Sequence, residues 1–182
     1  ALKEGIFGTI HTSREIIRRL TRCNVAADLG CGTGDLLPLF TEKARRIIGI
    51  DRSPKMLDEA KRRLKGNGAR IELRIGELEH LPMRDGETNA AVLNMVLHHL
   101  TEPQKGIREA SRAIAKGGQC IIVDLDKHNR EEFRTSLGHR WLGFPQKLMK
   151  EWLAQAGFLV QEVAGFKTDT GLGISIYVSH KK

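Results

Sequence analysis

The chain has 182 residues and a mass of 20.4 kDa, which is the length of one ordinary domain and too short for two independent cores. Apolar residues make up 40% of it and charged residues 29%, a composition that excludes a chain that stays unfolded. The net charge of +8 would suit a polyanionic partner. However, cations stand beside carboxylates at helical i, i+4 spacing, as in Asp58 with Arg62 and Glu59 with Arg63. This pattern indicates solvated helix faces, and nucleic-acid binding by this domain is not favoured.

The cysteines and the apolar runs indicate the compartment. The chain has an odd number of cysteines, Cys23, Cys31 and Cys120, and their spacing includes no C-x-x-C pair. We therefore predict neither a disulfide framework nor a metal site. No apolar run approaches the ~18 residues of a membrane helix, and no secretory leader is recognisable. We therefore predict a cytoplasmic protein without a membrane partner. The chain starts at Ala1 rather than Met, which indicates a processed product or a fragment of a longer chain.

Short apolar runs alternate with helical patterns along the chain. Strands are predicted over 24–29, 46–51, 70–75, 90–96 and 119–125, and helices over 35–43, 101–115 and 147–156. A further helix begins at Pro54, is capped by Ser53, and has Met56, Leu57, Ala60 and Leu64 as its predicted core face. Two last strands, 158–165 and 172–179, have no helix between them. The alternation predicts an α/β fold, a doubly wound, mostly parallel sheet that ends in an antiparallel hairpin.

A glycine cluster follows the first predicted strand, and an acid ends the second. These are Gly30-x-Gly32-x-Gly34 and Asp51. Ligands of open parallel sheets bind at the carboxyl ends of the strands. Glycines let the backbone turn tightly and approach a ligand, and an acid at this place can accept both hydrogen bonds from a ribose diol. The pattern therefore predicts a nucleoside-containing ligand.

Two acids narrow the ligand further. A dinucleotide motif, G-x-G-x-x-G, would need glycine where the chain has Asp35, and a carboxylate there would repel a pyrophosphate. NAD and an oxidoreductase are thus disfavoured. Asp28 adds another negative charge beside the loop and favours a cationic ligand. S-adenosylmethionine (SAM) has a ribose, an ammonium and a sulfonium group, and no phosphate.

Four motifs in order resemble those of class I SAM-dependent methyltransferases. They are Asp28–Gly34 (DLGCGTG), Gly49–Asp51 (GID), Gly76–Pro82 (GELEHLP) and Val96–Leu100 (VLHHL). The resemblance implies a Rossmann-like fold and SAM as the cofactor. It also implies cofactor contacts through Asp28, Gly30, Cys31, Gly32, Gly34, Asp51, Arg52, Glu77, Leu78 and Asn94. Asp51 would bind the ribose hydroxyls, Glu77 the adenine amino group and Asn94 the methionine end.

A second resemblance covers the C-terminal half. It is similar to the methyltransferase domains fused behind ArsR-type transcriptional regulators, through Val123–Leu125, His128, Arg130–Glu132, Leu137–Phe144 (LGHRWLGF), Trp152-Leu153 and Ala156–Phe158. It implies that residues 1–182 form one domain and that a DNA-binding domain precedes it in a longer chain. DNA would then be a partner only through that added domain.

Methyl transfer would be an in-line displacement at the sulfonium methyl, to which the protein contributes mainly proximity and alignment. A base is needed only where the acceptor arrives protonated. The substrate-side candidates are His98, His99, Asp126 and His128; since His98 and His99 are adjacent, we expect that they do not both face inward. Two functions stay open: a methyltransferase acting on a small-molecule acceptor, and a non-catalytic module that senses SAM or S-adenosylhomocysteine for a regulator. The fold does not select the acceptor, and the oligomeric state is left open.

Overall fold

The structure is a computed structural model that describes residues 9–65, 70–168 and 171–182. Seven strands form one sheet in the order β3-β2-β1-β4-β5-β7-β6. Their bounds are β1 Cys23–Leu29, β2 Ala44–Asp51, β3 Ile71–Ile75, β4 Thr88–Asn94, β5 Ile114–Leu125, β6 Phe158–Lys167 and β7 Gly173–Lys181. Strands β1 to β5 are parallel, whereas β7 is antiparallel to both β5 and β6. The predicted fold class is confirmed.

Helices cover both faces of this sheet. Their bounds are α1 Thr9–Arg19, α2 Leu37–Phe40, α3 Pro54–Arg63, α4 Pro103–Ala113, α5 Glu132–Ser136 and α6 Gln146–Gln155, with a 3-10 turn at Leu97–His99. One core cluster joins the sheet to α1, α2, α3 and α5, and the other joins it to α4 and α6. Each face of a parallel sheet must be covered in this way, because both faces are apolar. The strand order reverses between β1 and β4, which makes their carboxyl ends the expected ligand position.

Helix α3 begins as the sequence predicts, but one of its predicted core residues is not buried. The Met56 amide donates to the Ser53 hydroxyl at 3.3 Å, and Pro54 occupies the first helical position. Leu57 and Ala60 pack into the core, whereas Met56 is 41% exposed. The prediction for Met56 is therefore wrong: its side chain lies at the carboxyl edge of the sheet, outside the covered layer.

The predicted helix over 35–43 is reduced to the single turn of α2. The Lys43 amide donates to the Phe40 carbonyl, and β2 already starts at Ala44. The connection must therefore return to the amino edge of the sheet within a few residues, which leaves no length for a longer helix. Helices α1 and α5 were not predicted from the sequence.

Cations of α3 are paired with carboxylates, but only one of the two predicted pairs forms among the described residues. Arg63 binds Glu59 at 2.9 Å and also Asp35 at 2.6 Å. Asp58, however, pairs with Lys61 at 3.4 Å rather than with Arg62. In the described part of the chain, no helix has the length and apolar character that crossing a bilayer requires.

Candidate functional site

The glycine loop after β1 is fastened to the end of β2. The amides of Gly30 and Cys31 both donate to the Ile50 carbonyl, at 2.7 and 2.9 Å. Gly30, Gly32 and Gly34 all have positive φ, at 89°, 53° and 81°. Residues other than glycine rarely adopt this backbone conformation. The loop conformation therefore depends on these glycines.

The three glycines differ in what surrounds them. A Cβ on Gly30 would lie 2.6 Å from a Val96 methyl, and one on Gly34 would lie 3.1 Å from the Ala60 Cβ. At Gly32 a Cβ would meet no atom within 4 Å of the described chain. Gly30 and Gly34 thus permit close packing, while Gly32 presents bare backbone to open space.

Asp51 connects this loop to the end of β2. Its Oδ2 accepts a hydrogen bond from the Gly32 amide at 2.9 Å, and its Oδ1 accepts one from the Ser53 amide at 2.9 Å. A carboxylate has about four acceptor positions, so both oxygens can accept further hydrogen bonds. Arg52, next along the chain, is exposed. The Asp51 carboxylate is held in a fixed orientation and can still bind a diol.

Asp28 lies one strand away and is 2% exposed, between Gly49 of β2 and Val92 of β4. Burial, together with the nearby charges of Asp51 and Asp35, raises the pKa of Asp28 to about 7. A cation beside this group would stabilise its charged form. Burial raises the pKa of the Cys31 thiol as well, so this cysteine is unsuited to act as a nucleophile.

Asn94 ends β4 on the same face of the sheet as Asp28 and Asp51, since side chains alternate along each strand. Its Oδ1 is buried and accepts no hydrogen bond from the described residues. The next residue, Met95, has a φ of 55°, and its amide donates to the Val123 carbonyl at 2.8 Å. Such a backbone is uncommon outside glycine and occurs often at functional sites. No pattern in the sequence predicts this conformation of Met95.

The segment after β3 lies on the other side of Asp51. The Gly76 amide donates to the Asp51 carbonyl at 3.1 Å. Glu77 is exposed and Leu78 is buried. Two exposed apolar side chains flank this position, Met56 at 41% and Ile75 at 58%. Sequence reasoning assigned neither to the site; an apolar residue at the carboxyl end of a predicted strand, as Ile75 is, is the signal that could have found one of them.

Both adjacent histidines of the 97–99 turn contact one further imidazole. The ring centroids of His98 and His99 lie 4.2 and 5.1 Å from that of His139. His98 is buried and His99 half-buried. His98 therefore faces inward and His99 only in part, yet the tight 3-10 turn lets both rings reach a third ring from another segment. Burial, with His98 and His99 nearby, lowers the pKa of His139 to about 3.

The other two substrate-side candidates are His128 and Asp126. Phe133 stands between His128 and His139, with its ring centroid 5.4 Å from each. Burial lowers the pKa of His128. Asp126 instead accepts a hydrogen bond from the Ser175 hydroxyl at 2.6 Å and so fastens the end of β5 to β7. The structure thus brings together His98 and His99 and adds His139, which sequence reasoning did not place in the site.

A cavity of about 730 Å³ opens at the opposite edge of the sheet. Its lining includes a set of cationic side chains near the amino ends of the strands: Arg22, Lys43, Arg45, Arg70 and Lys116. Ligands of open α/β sheets bind at the carboxyl ends of the strands. This cavity lies at the amino ends, so it is distinct from the glycine-loop site.

Residues 27–122 match a protein family described as "Methyltransferase domain". An uncharacterized 37.1 kDa protein of transposon TN4556 from Streptomyces fradiae is 36% identical over 104 residues, which are 56% of this chain and 30% of that protein. A demethylmenaquinone methyltransferase from Desulfitobacterium hafniense is 32% identical over 122 residues, which are 64% of this chain and 47% of that protein. The chain spans less than half the length of either relative.

A solved structure shows the same fold. The S-adenosylmethionine dependent methyltransferase from Mesorhizobium loti superposes with a TM-score of 0.76 at 17% identity. The superposition covers 94% of this chain and 96% of that one.

Proposed function

The chain belongs to the methyltransferase domain family, whose cofactor is SAM, and on that premise we propose that it transfers the sulfonium methyl group of SAM to a small-molecule acceptor. The observation that carries this proposal is the contact between the glycine loop and Asp51. At the switch point of the sheet, the Gly32 amide donates to Oδ2 of Asp51 at 2.9 Å. The backbone at Gly32 is open, and the Asp51 carboxylate has acceptor positions left for a ligand.

Each part of SAM has a complementary group at this edge. The Asp51 carboxylate binds the ribose diol, and Arg52 lies beside it. Asp28 and the buried Asn94 oxygen receive the ammonium and methionine end, next to the backbone of Gly30, Cys31, Gly32 and Gly34. Glu77 and the Leu78 amide bind the edge of the adenine. The exposed side chains of Met56 and Ile75 cover its faces, which explains why they are not packed in the core.

The sulfonium is itself the activated group, so the protein mainly aligns the acceptor with the methyl carbon. In the displacement the acceptor forms a bond to that carbon, and the C–S bond breaks to leave neutral S-adenosylhomocysteine. His98, His99, Asp126 and His128 stay as the substrate-side candidates; His98 and His99 are closest to the end of β4 in the chain. One relative carries the name demethylmenaquinone methyltransferase, which supports a small organic acceptor.

Calorimetric titration with SAM, S-adenosylhomocysteine and NAD tests the cofactor assignment. Asp51→Ala should weaken binding of both adenosyl compounds at least about a hundredfold, because it removes two hydrogen bonds to a carboxylate at roughly 1.5 kcal/mol each. The matched control is Asp58→Ala, an exposed aspartate of α3 whose partner is Lys61, which should bind like the wild type. Preferential binding of NAD, or equal affinities in the two variants, would contradict the assignment.

Transfer of a labelled methyl group from SAM to a panel of small acceptors tests the activity. Product formation that disappears in Asp51→Ala is the expected result. Tight SAM binding without transfer to any acceptor would instead favour the sensor function, since both functions need the same cofactor site.

The resemblance to ArsR-linked domains leads to a proposal on context. Residues 1–182 would act as one domain in the cytoplasm, behind a DNA-binding domain. The packing supports the single domain, because Leu142 and Phe144 of the LGHRWLGF stretch are buried in its core. The mass of the intact protein from its source cell checks this. A mass larger than 20.4 kDa by one winged-helix domain is expected, and a mass equal to that of the chain would refute it.

A further inference from the structure

Three imidazoles from two separate segments meet at the carboxyl edge of the sheet. His98 and His99 belong to the 3-10 turn after β4, and His139 belongs to the segment between α5 and α6. One ring nitrogen of each histidine lies within 4.8 Å of one ring nitrogen of each of the other two. The imidazole nitrogen is the commonest transition-metal ligand in proteins.

The His98 ring is oriented by a buried carboxylate. Its Nδ1 lies 2.7 Å from the Oδ1 of Asp124, which is 1% exposed. The Leu97 and Leu125 amides donate to the same carboxylate, at 2.9 and 2.8 Å, and keep it in place. A carboxylate accepts hydrogen bonds, so Nδ1 of His98 carries the proton and Nε2 has the free lone pair. A carboxylate behind a histidine is the usual outer shell of a metal ligand.

The His99 ring has an equivalent arrangement. Its Nδ1 lies 3.3 Å from the carbonyl oxygen of Gly138, which can only accept a hydrogen bond, so the lone pair is again on Nε2. The segment that carries His139 is fixed as well, because the amides of Arg140 and Trp141 both donate to the His98 carbonyl at 3.0 Å. The two segments are therefore held together by backbone hydrogen bonds and not by the rings alone.

We propose that His98, His99 and His139 bind one divalent transition-metal ion of the zinc class, with Asp124 as the outer-shell partner of His98. Three nitrogen donors suit zinc and its neighbours, whereas calcium and magnesium prefer oxygen ligands. Nitrogens around a tetrahedral zinc lie roughly 3.3 Å apart, as follows from Zn–N bonds of about 2.0–2.1 Å. Metal binding would therefore draw the three donor nitrogens together from separations of up to 4.8 Å.

Three protein ligands leave the fourth tetrahedral position for water or a small donor ligand, as in zinc sites that act on substrates. The turn that carries His98 and His99 follows directly after Asn94 and Met95, at the edge proposed for SAM. Under the proposed function, on which this step rests, the acceptor is a molecule with an oxygen, nitrogen or sulfur donor that the metal holds at this edge.

The test uses the full chain without a histidine tag, freed of metal by a chelator and titrated with Zn²⁺, and with Co²⁺ as a spectroscopic probe. We expect one ion per chain and a visible Co²⁺ spectrum of nitrogen and oxygen ligation, without the intense thiolate-to-cobalt band that binding at Cys23 would give. Added imidazole should change that spectrum by occupying the fourth position. A spectrum that imidazole leaves unchanged would overturn the open position.

Two variants and one control locate the ion. His99→Ala removes a half-buried ligand and should weaken binding at least tenfold. Asp124→Asn should weaken it roughly 10- to 100-fold, because an amide can donate to Nδ1 and so move the ring proton to Nε2. The control is His80→Ala, since His80 is exposed and its Nε2 lies 2.8 Å from the Lys105 ammonium nitrogen. This variant should bind as the wild type does.

Equal Zn²⁺ affinity in wild type and His99→Ala, equal loss in His80→Ala, or no stoichiometric binding by the wild type would each overturn the proposal. Circular dichroism of each variant excludes unfolding as the cause; if Asp124→Asn does not fold, His99→Ala alone decides. S-adenosylhomocysteine titrations of the same variants separate the two proposals. A variant that still binds S-adenosylhomocysteine but no longer binds Zn²⁺ locates the metal at the histidines. A wild-type protein that does not bind S-adenosylhomocysteine would contradict the proposed function alone.

Discussion

The substitution Gly32→Ala separates the cofactor role of the loop from its structural role. An added methyl group at this position meets no described atom within 4 Å, although the φ of 53° is unfavourable for alanine. Gly117 provides a matched control at the opposite edge of the sheet, with a φ of 75° and equally open surroundings. The two variants share the backbone strain and differ in whether the methyl group faces the proposed cofactor.

The strain sets the expected loss of stability. An alanine in the left-handed region costs about 1–2 kcal/mol, and in a domain of this size each kcal/mol lowers the melting temperature by roughly 2–4 °C. Both variants should therefore melt about 2–8 °C below the wild type. Only Gly32→Ala should lose affinity for S-adenosylhomocysteine, by at least about fivefold, because a displaced ligand that loses one hydrogen bond forfeits about 1 kcal/mol or more.

Calorimetry with S-adenosylhomocysteine and thermal unfolding by circular dichroism, on wild type, Gly32→Ala and Gly117→Ala, measure both effects. Equal affinities in the two variants would refute the placement of the cofactor over Gly32. A melting temperature of Gly32→Ala far below that of Gly117→Ala would show that the position is packed rather than open.

Two further predictions concern buried acids. The pKa of Asp28 is raised to about 7, above the 3.8 of the free side chain. Between these two pH values the folded state binds more protons than the unfolded state, so the stability of the wild type falls as the pH rises through this range. Asp28→Asn should therefore gain stability relative to the wild type between pH 5 and pH 8 in urea denaturation, and an unchanged difference would count against this. Hydrogen bonds from Arg74 lower the pKa of Glu87 to about 2, so its contribution is present above about pH 4.5 and is lost as the pH falls towards 2. Glu87→Gln should lower the free energy of unfolding by about 1–3 kcal/mol at pH 7 and by less at pH 3. The matched control is Glu72→Gln, at a half-exposed carboxylate, which should lower it by under about 1 kcal/mol. Similar losses in the two variants would contradict the idea that the buried position of the Glu87 side chain strengthens its ion pair.

The architecture and the position of the cofactor edge can be predicted from local sequence patterns. Alternating strands and helices require a parallel sheet, and in such a sheet the residues after β1 and β2 must meet at one edge. The contact between Gly32 and Asp51 follows from that geometry, although the two residues are 19 positions apart. Local chemistry was also sufficient for the start of α3, since Ser53 and Pro54 act within one helical turn.

How far each local pattern extends depends on packing between distant parts of the chain. The apolar stripe over 35–43 is compatible with a full helix, yet the short return to β2 allows one turn. Met56 fits the helical periodicity of a core residue but lies beyond the covered layer. Periodicity reports which side chains share a face, whereas burial depends on what packs against that face.

The histidine cluster shows the same limit at the candidate site. His139 stands 41 positions after His98, in a segment without a regular pattern, and it reaches the turn through hydrogen bonds from Arg140 and Trp141 to the His98 carbonyl. Sequence spacing identifies ligands only where they share one helix or one loop. Side chains from two distant segments are brought together by the packing of the whole chain, and for that reason this cluster became visible only in the folded protein.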